Sequence, residues 1–178
     1  MAQVLITNTD LGLRERAIQG DEAAFEALIG PLVEPALRLG FSMLGDRWEA
    51  EDAIQEAIMR AWRKLSQWRP GTPVRPWFLA IVVNQCRNVR RTRWFRTVRI
   101  ADLFRDHQVE LDVDKLDLER ALKQLPPNDR QAIFLHFYLD LPIDEVAIAL
   151  GISPAAAKGR IYRACHRLKP DLREEELT

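Results

Sequence analysis

Four consecutive residues, Gly151-Ile152-Ser153-Pro154, constrain this chain more than any other feature, because they separate two short amphipathic patterns. Glycine suits the left-handed position that closes a helix. Serine followed by proline suits the N-cap and the first helical position. Upstream, Ile143–Leu150 turns Val146, Ala147 and Leu150 inward. Downstream, at about 100° per residue, Ala157, Ile161, Ala164 and Leu168 of the segment Pro154–Leu168 fall on one apolar face. Two helices joined by a three-residue turn predict a helix-turn-helix. The outer face of the second helix carries Ala155, Gly159, Tyr162, Arg163 and His166, flanked by Lys158, Arg160 and Arg167. Small side chains let a helix axis approach bases, and long cations reach base edges or phosphates. An ordinary helical hairpin shares the packing but does not require the basic face.

The remaining pattern is helical throughout, with no convincing alternation of strand residues. We expect an all-α chain of two small helical domains joined by a flexible linker, the second containing the helix-turn-helix. Residues 1–10 are expected to be a loose tail. Helices are predicted over about Leu11–Gly20, from Asp21 as a cap to about Gly30, over Pro31–Leu44 closed by Gly45, over Arg47–Gln67, and from Pro76 to about Arg93. The segment WRPGTPVR (68–75) is a loop, broken by two prolines and a glycine. These helices give a first domain over 11–94. Residues 95–114 turn acidic and read as the linker. A second domain, 115–172, opens on Leu116, Leu118, Ala121, Leu122 and Leu125 at helical spacing, stops at Pro126-Pro127, and resumes with Asn128 as a cap. Residues 173–178 read as a frayed tail.

Formal net charge is zero, with 26 basic and 26 acidic residues, yet the distribution is uneven. Residues 10–56 hold 11 acids and 4 bases, whereas 57–101 hold 11 bases and no acid. A second basic cluster, five cations without an acid, lies at 158–170. Two basic patches on an otherwise acidic chain fit contact with nucleic acid at two places. Two cysteines, Cys86 and Cys165, are too few for a disulfide framework or a four-ligand zinc site. The three histidines show no ligand spacing, so neither metal nor cofactor is expected. No nucleophile or phosphate-loop constellation points to an enzyme. The N-terminus lacks a signal-peptide pattern, and the longest apolar run, Trp77–Val83, is too short to span a bilayer. A reduced cytoplasmic protein without membrane insertion is the expectation.

Two surfaces of the first domain stand out. Over 47–67, Ile54, Ala57, Ile58, Ala61, Trp62 and Leu65 form a core stripe, and the other side presents Asp52, Gln55, Glu56, Met59 and Arg63. A methionine amid charges suits an adaptable protein interface, although scattered exposed apolar residues are common. Over 76–93, Asn84, Arg87, Asn88 and Arg91 share a stripe flanked by Arg90 and Arg93, and the preceding loop adds Trp68, Arg69 and Arg75. Aromatics beside cations suit a single strand, whose bases stack while its phosphates are neutralised. Trp62, Trp77 and Phe78 are at core spacing. Trp68 is the aromatic left for a base, unless it closes the bundle.

With these residues in view, the chain resembles bacterial RNA polymerase sigma factors of the small extracytoplasmic-function (ECF) type, over about 14–95 and 115–170. EDAIQEAIMRAWRKL is similar to the family's acidic D-x-x-Q-E helix, which implies docking of Asp52, Gln55, Glu56, Met59 and Arg63 on the clamp helices of core RNA polymerase. RPWFLAIVVNQCRNVRR resembles the segment after the promoter-recognition loop. It implies that Asn84 and the loop 67–75, with Trp68, Arg69 and Arg75, hold a flipped base of the minus-10 element. Arg87, Arg90, Arg91 and Arg93 would follow the adjacent backbone, and Asn88 lies among the expected minus-10 contacts. The helix-turn-helix resembles the reader of the minus-35 element, with Ala155, Ala156, Lys158, Gly159, Tyr162 and Arg163 at contact positions and Arg160 on phosphate. The chain departs from the family in Phe78 for leucine, in the prolines Pro70, Pro73 and Pro76, and in Ala156-Ala157 for Thr-Val.

The function implied is binding: docking on core polymerase, duplex recognition upstream and capture of an unpaired strand downstream, which favours melting because held bases cannot re-stack. The family implies an acidic linker threaded through a basic polymerase channel, and an anti-sigma partner in many members. Acidic surfaces would weaken binding of the free protein to DNA. Two alternatives are a stand-alone helix-turn-helix regulator, which leaves the acid-free block and the Met59 face unexplained, and a sigma-mimicking interaction protein that never touches DNA.

Overall fold

The computed structural model describes residues 8–99, 122 and 124–168, and no strand occurs among them. Contacts divide the chain into two units, residues 1–94 and 95–178.

The first unit contains α1 (Asn8–Ile18), α2 (Glu22–Leu44), α3 (Arg47–Lys64), a 3-10 turn (Leu65–Gln67) and most of α4 (Val74–Arg99), which runs past the unit's end at Trp94. Helix α1 begins within the segment expected to be a tail. Asp21 caps α2, its Oδ1 accepting from the Ala24 N–H at 3.1 Å. Its carboxyl is held below the usual carboxylate range by that backbone donor first and by Arg16 second. Asp46 caps α3 in the same way, accepting from the Glu49 N–H at 2.9 Å. Helix α2 packs on both α1 and α3, and Phe25 meets Trp62 edge to face at 5.0 Å.

Two helices were expected between Asp21 and Leu44, and one continuous helix is found, with Pro31 and Pro35 inside it. The buried stripe Ala24, Leu28, Ala36, Leu39, Leu44 continues in phase across the prolines. Each proline removes one helical donor, but Ala27 and Pro31, whose carbonyls lose those donors, lie on the solvent side. Carbonyls of exposed residues can be solvated, so packing outweighs the local break signal. By length and composition alone α2 could cross a bilayer, but its apolar stripe is built into this unit's core.

Helix α4 begins two residues before the expected Pro76 and continues through Arg99, so the segment read as a linker from residue 95 starts as helix. Phe78, Leu79, Val82, Val83 and Cys86 are wholly enclosed. The rest of the expected linker (100–114), the positions Leu116, Leu118 and Ala121, and the C-terminal tail lie outside the described residues.

The second unit contains α5 (Pro127–Ile133), running into a wide π-helical turn (Phe134–Tyr138), then α6 (Ile143–Leu150) and α7 (Pro154–Leu168). Pro126, not Asn128, occupies the N-cap position of α5, with no side-chain cap bond. Pro127 follows at the first helical position, where its fixed φ suits the helix and its missing donor is not needed. Helix α7 packs on α5 and α6, and Leu125, Ile133, Ala164 and Leu168 form a core cluster with Leu122 and Cys165 against it.

Candidate nucleic-acid and partner interfaces

The turn between α6 and α7 has the expected form. Gly151 adopts φ 66° and donates its N–H to Ile148 at 3.1 Å. A side chain at that φ is strained. The Ser153 hydroxyl accepts from the Ala156 N–H at 3.2 Å. Ala157, Ile161, Ala164 and Leu168 are buried as the periodicity predicts. Ala155, Ala156, Lys158, Tyr162 and Arg163 are therefore turned outward, with Tyr162 71% exposed. Arg160 is half-buried at the flank, and its Nη1 is enclosed without a hydrogen-bond partner. A phosphate contact from Arg160 would therefore use its other guanidinium nitrogens.

Sequence reasoning missed a residue that organises this face. Asp129, 4% exposed at the start of α5, accepts from Arg163 Nη2 at 3.3 Å and lies 3.9 Å from Arg167 Nη1. It is separated from Arg163 by 34 positions, so local pattern could not have signalled the pair.

On α3, Ala50, Ala53, Ile54, Ala57 and Ala61 are buried. Asp52, Gln55, Met59 and Arg63 are exposed and Glu56 is half-exposed. Met59 is 51% exposed. Glu56 accepts from Arg60 Nε at 3.0 Å and lies 3.8 Å from Arg63 Nη2. Arg63 Nε donates to the Met59 carbonyl at 3.1 Å. Trp48, four residues before Asp52 and so on the same stripe, is 75% exposed and was also missed. Its helical spacing to Asp52 was the signal that could have found it.

On α4, Asn84, Arg90, Arg91 and Arg93 are exposed, and Arg87 and Asn88 are half-buried beside the enclosed core stripe. Arg93 Nη1 donates to Glu49 on α3 at 3.4 Å. In the preceding loop Arg69 is exposed and Arg75 half-buried. Trp68 is a correction. It is 1% exposed, its indole Nε1–H bonded to the Thr72 carbonyl at 3.0 Å and to its Oγ1 at 3.1 Å. Trp77 packs against it at 6.1 Å. Arg14 donates from Nε to the Trp68 carbonyl at 3.1 Å, with its guanidinium 5.9 Å from the ring centre. Enclosed on these sides, Trp68 closes the bundle and pins the loop, and its ring is unavailable to a base.

Among the described residues no group of His, Cys, Asp and Glu could hold a metal ion. Cys86 is buried, and desolvation pushes its thiol up to about 11. A thiol so placed is poorly reactive at neutral pH.

Comparison with known proteins agrees with this division. The family described as Sigma-70 region 2 matches residues 28–96, and Sigma-70, region 4 matches 115–168. RNA polymerase sigma factor SigV of Bacillus subtilis is 29% identical over 79% of this chain and 86% of its own length. ECF RNA polymerase sigma factor SigL of Mycobacterium tuberculosis is 27% identical over 90% of this chain and 98% of its own. The solved structure of CnrH in complex with the cytosolic domain of CnrY covers 94% of this chain and 99% of that one, at 26% identity and a TM-score of 0.72. With regions 2 and 4 matched in order across most of its length, the chain belongs to the sigma-70 family of RNA polymerase sigma factors, in its ECF group.

Proposed function

We propose that this chain is a promoter-recognition subunit. It docks on core RNA polymerase, reads the minus-35 element as duplex with α7, and holds the melted minus-10 strand on α4 and its preceding loop. The family is one of non-catalytic transcription initiation factors. The observation that carries the residue-level reading is one chain presenting three separate polar faces in the family's order. These are the α3 stripe, the basic edge of α4 and the outer face of α7.

On α3, Asp52, Gln55, Glu56, Met59 and Arg63 form the polymerase face, and exposed Trp48 extends it by one turn. On α4, Asn84 and the loop cations Arg69 and Arg75 take the unpaired base, while Arg87, Asn88, Arg90, Arg91 and Arg93 follow its backbone. Trp68 supports that loop from beneath. On α7, Ala155, Ala156, Lys158, Gly159, Tyr162 and Arg163 meet the duplex, with Arg160 on phosphate at the flank. The polymerase and minus-10 functions are assigned to 11–94, within the helices from Asn8 to Arg99, and the minus-35 function to 115–172. Such a protein works in the cytoplasm. An anti-sigma partner is a further expectation, in keeping with the relative CnrH solved in complex with the cytosolic domain of CnrY.

Run-off transcription with purified core polymerase, on genomic fragments including the protein's own upstream region, tests the reading. Discrete start sites that depend on this chain are expected, and both Glu56→Arg and Arg163→Glu abolish them. Glu56 is half-exposed, and its pairs with Arg60 and Arg63 are worth less than about 1 kcal/mol. Loss of transcription on Glu56→Arg is therefore not loss of fold. Tight duplex binding without polymerase, and no initiation, would favour a stand-alone regulator.

A further inference from the structure

Arg163 is held in a definite place. Its Nη2 bonds to the buried carboxylate of Asp129 at 3.3 Å. Its Nη1 passes 3.4 Å from the position a β-carbon would occupy at Gly159, one turn earlier on α7. The guanidinium thus lies back along the helix over Gly159, braced on one edge by Asp129, while the side chain as a whole remains 56% exposed. Arg167 lies 3.9 Å from the other carboxylate oxygen. Gly159 has ordinary helical backbone, since only Gly20, Gly45, Gly71 and Gly151 have positive φ among the described glycines.

An unbraced surface arginine samples many rotamers and meets phosphates readily. One anchored at an edge presents its remaining donors in a fixed plane, as bidentate reading of guanine O6 and N7 requires. A carboxylate behind it also repels phosphate oxygens. We infer that Asp129 is a positioning residue for promoter specificity: it fixes the Arg163 guanidinium over Gly159 to read one guanine, and disfavours its use as a general phosphate contact. This rests on the assignment of α7 to duplex recognition.

The test uses the full chain assembled with core polymerase and a random duplex library in the upstream position. Selected sequences, and then individual duplexes with and without the chosen guanine, are compared for the wild type and Asp129→Asn. The wild type should prefer guanine at one position by tenfold or more. Asp129→Asn should reduce that preference at least fivefold while binding to unselected duplex stays equal or tightens.

A merely structural Asp129 would lower affinity for selected and unselected duplex together, which would overturn the proposal. So would an undiminished guanine preference in Asp129→Asn. A wild-type assembly that initiates transcription without any upstream sequence preference would refute the assignment of α7 itself, and the proposal with it.

Discussion

Replacing Trp68 separates two roles that a tryptophan beside a loop proposed to face the promoter could have. The indole is wholly enclosed, bonded through Nε1 to Thr72, packed on Trp77 and covered by Arg14. Truncating a buried tryptophan to alanine costs about 3–5 kcal/mol in transfer and cavity terms. The lost indole bond, about 1 kcal/mol, and the Arg14 contact, about 0.5–1 kcal/mol, overlap with that figure and leave its order unchanged. Trp68→Phe keeps most of the volume and loses the bond, so about 1–2 kcal/mol is expected. Hydrogen exchange of the most protected amides of α4, around Phe78–Cys86, reads the first unit without interference from the second. At about 1.4 kcal/mol per tenfold, Trp68→Ala should speed their exchange by a factor of roughly 100 or more, and Trp68→Phe by about tenfold. Exchange within about twofold of wild type in Trp68→Ala, alongside a large defect in promoter melting, would show that the indole contacts DNA and that the packing argument is wrong.

Two further outcomes follow from the geometry. Gly151→Ala should destabilise the second unit by about 1–2 kcal/mol, because φ 66° is left-handed. Thermal unfolding of the full chain measures this, and an unchanged second unit would contradict the turn. Cys86 has its folded pKa raised from 9.0 to about 11. Its contribution is therefore fully present below pH 9 and is lost as pH rises toward 11, because the unfolded chain releases the proton first. The expected slope is about 1 kcal/mol per pH unit in that window. Comparing urea unfolding of wild type and Cys86→Ala between pH 8 and pH 11 checks it, since the difference between them should shrink as pH rises.

The helix-turn-helix was legible because its signals are local. The glycine, serine and proline act on their own backbone, and the buried positions repeat at helical spacing. The α3 stripe was legible for the same reason. Local signals misled at Gly30-Pro31, where a break was expected and a core stripe running through it kept α2 whole. They misled again at Trp68, whose loop position suggested exposure although Arg14, Thr72 and Trp77 enclose it. The bracing of Arg163 by Asp129 is contact between distant positions, and nothing in the neighbourhood of either residue announces it.

The arrangement of α4 and the loop before it also bears on how recognition could change. One helix carries the enclosed core on one side and the basic, asparagine-bearing edge on the other. That edge cannot be re-aimed without disturbing the unit's interior, so in the proposed function it would be a fixed grip whatever sequence is held. The loop is fastened at buried Trp68 and buried Pro76. Between those two fixed points, only a few side chains are free to be exchanged. If this loop takes the unpaired base as proposed, new minus-10 preferences would arise by substitution within that short span, leaving the fold that supports it untouched.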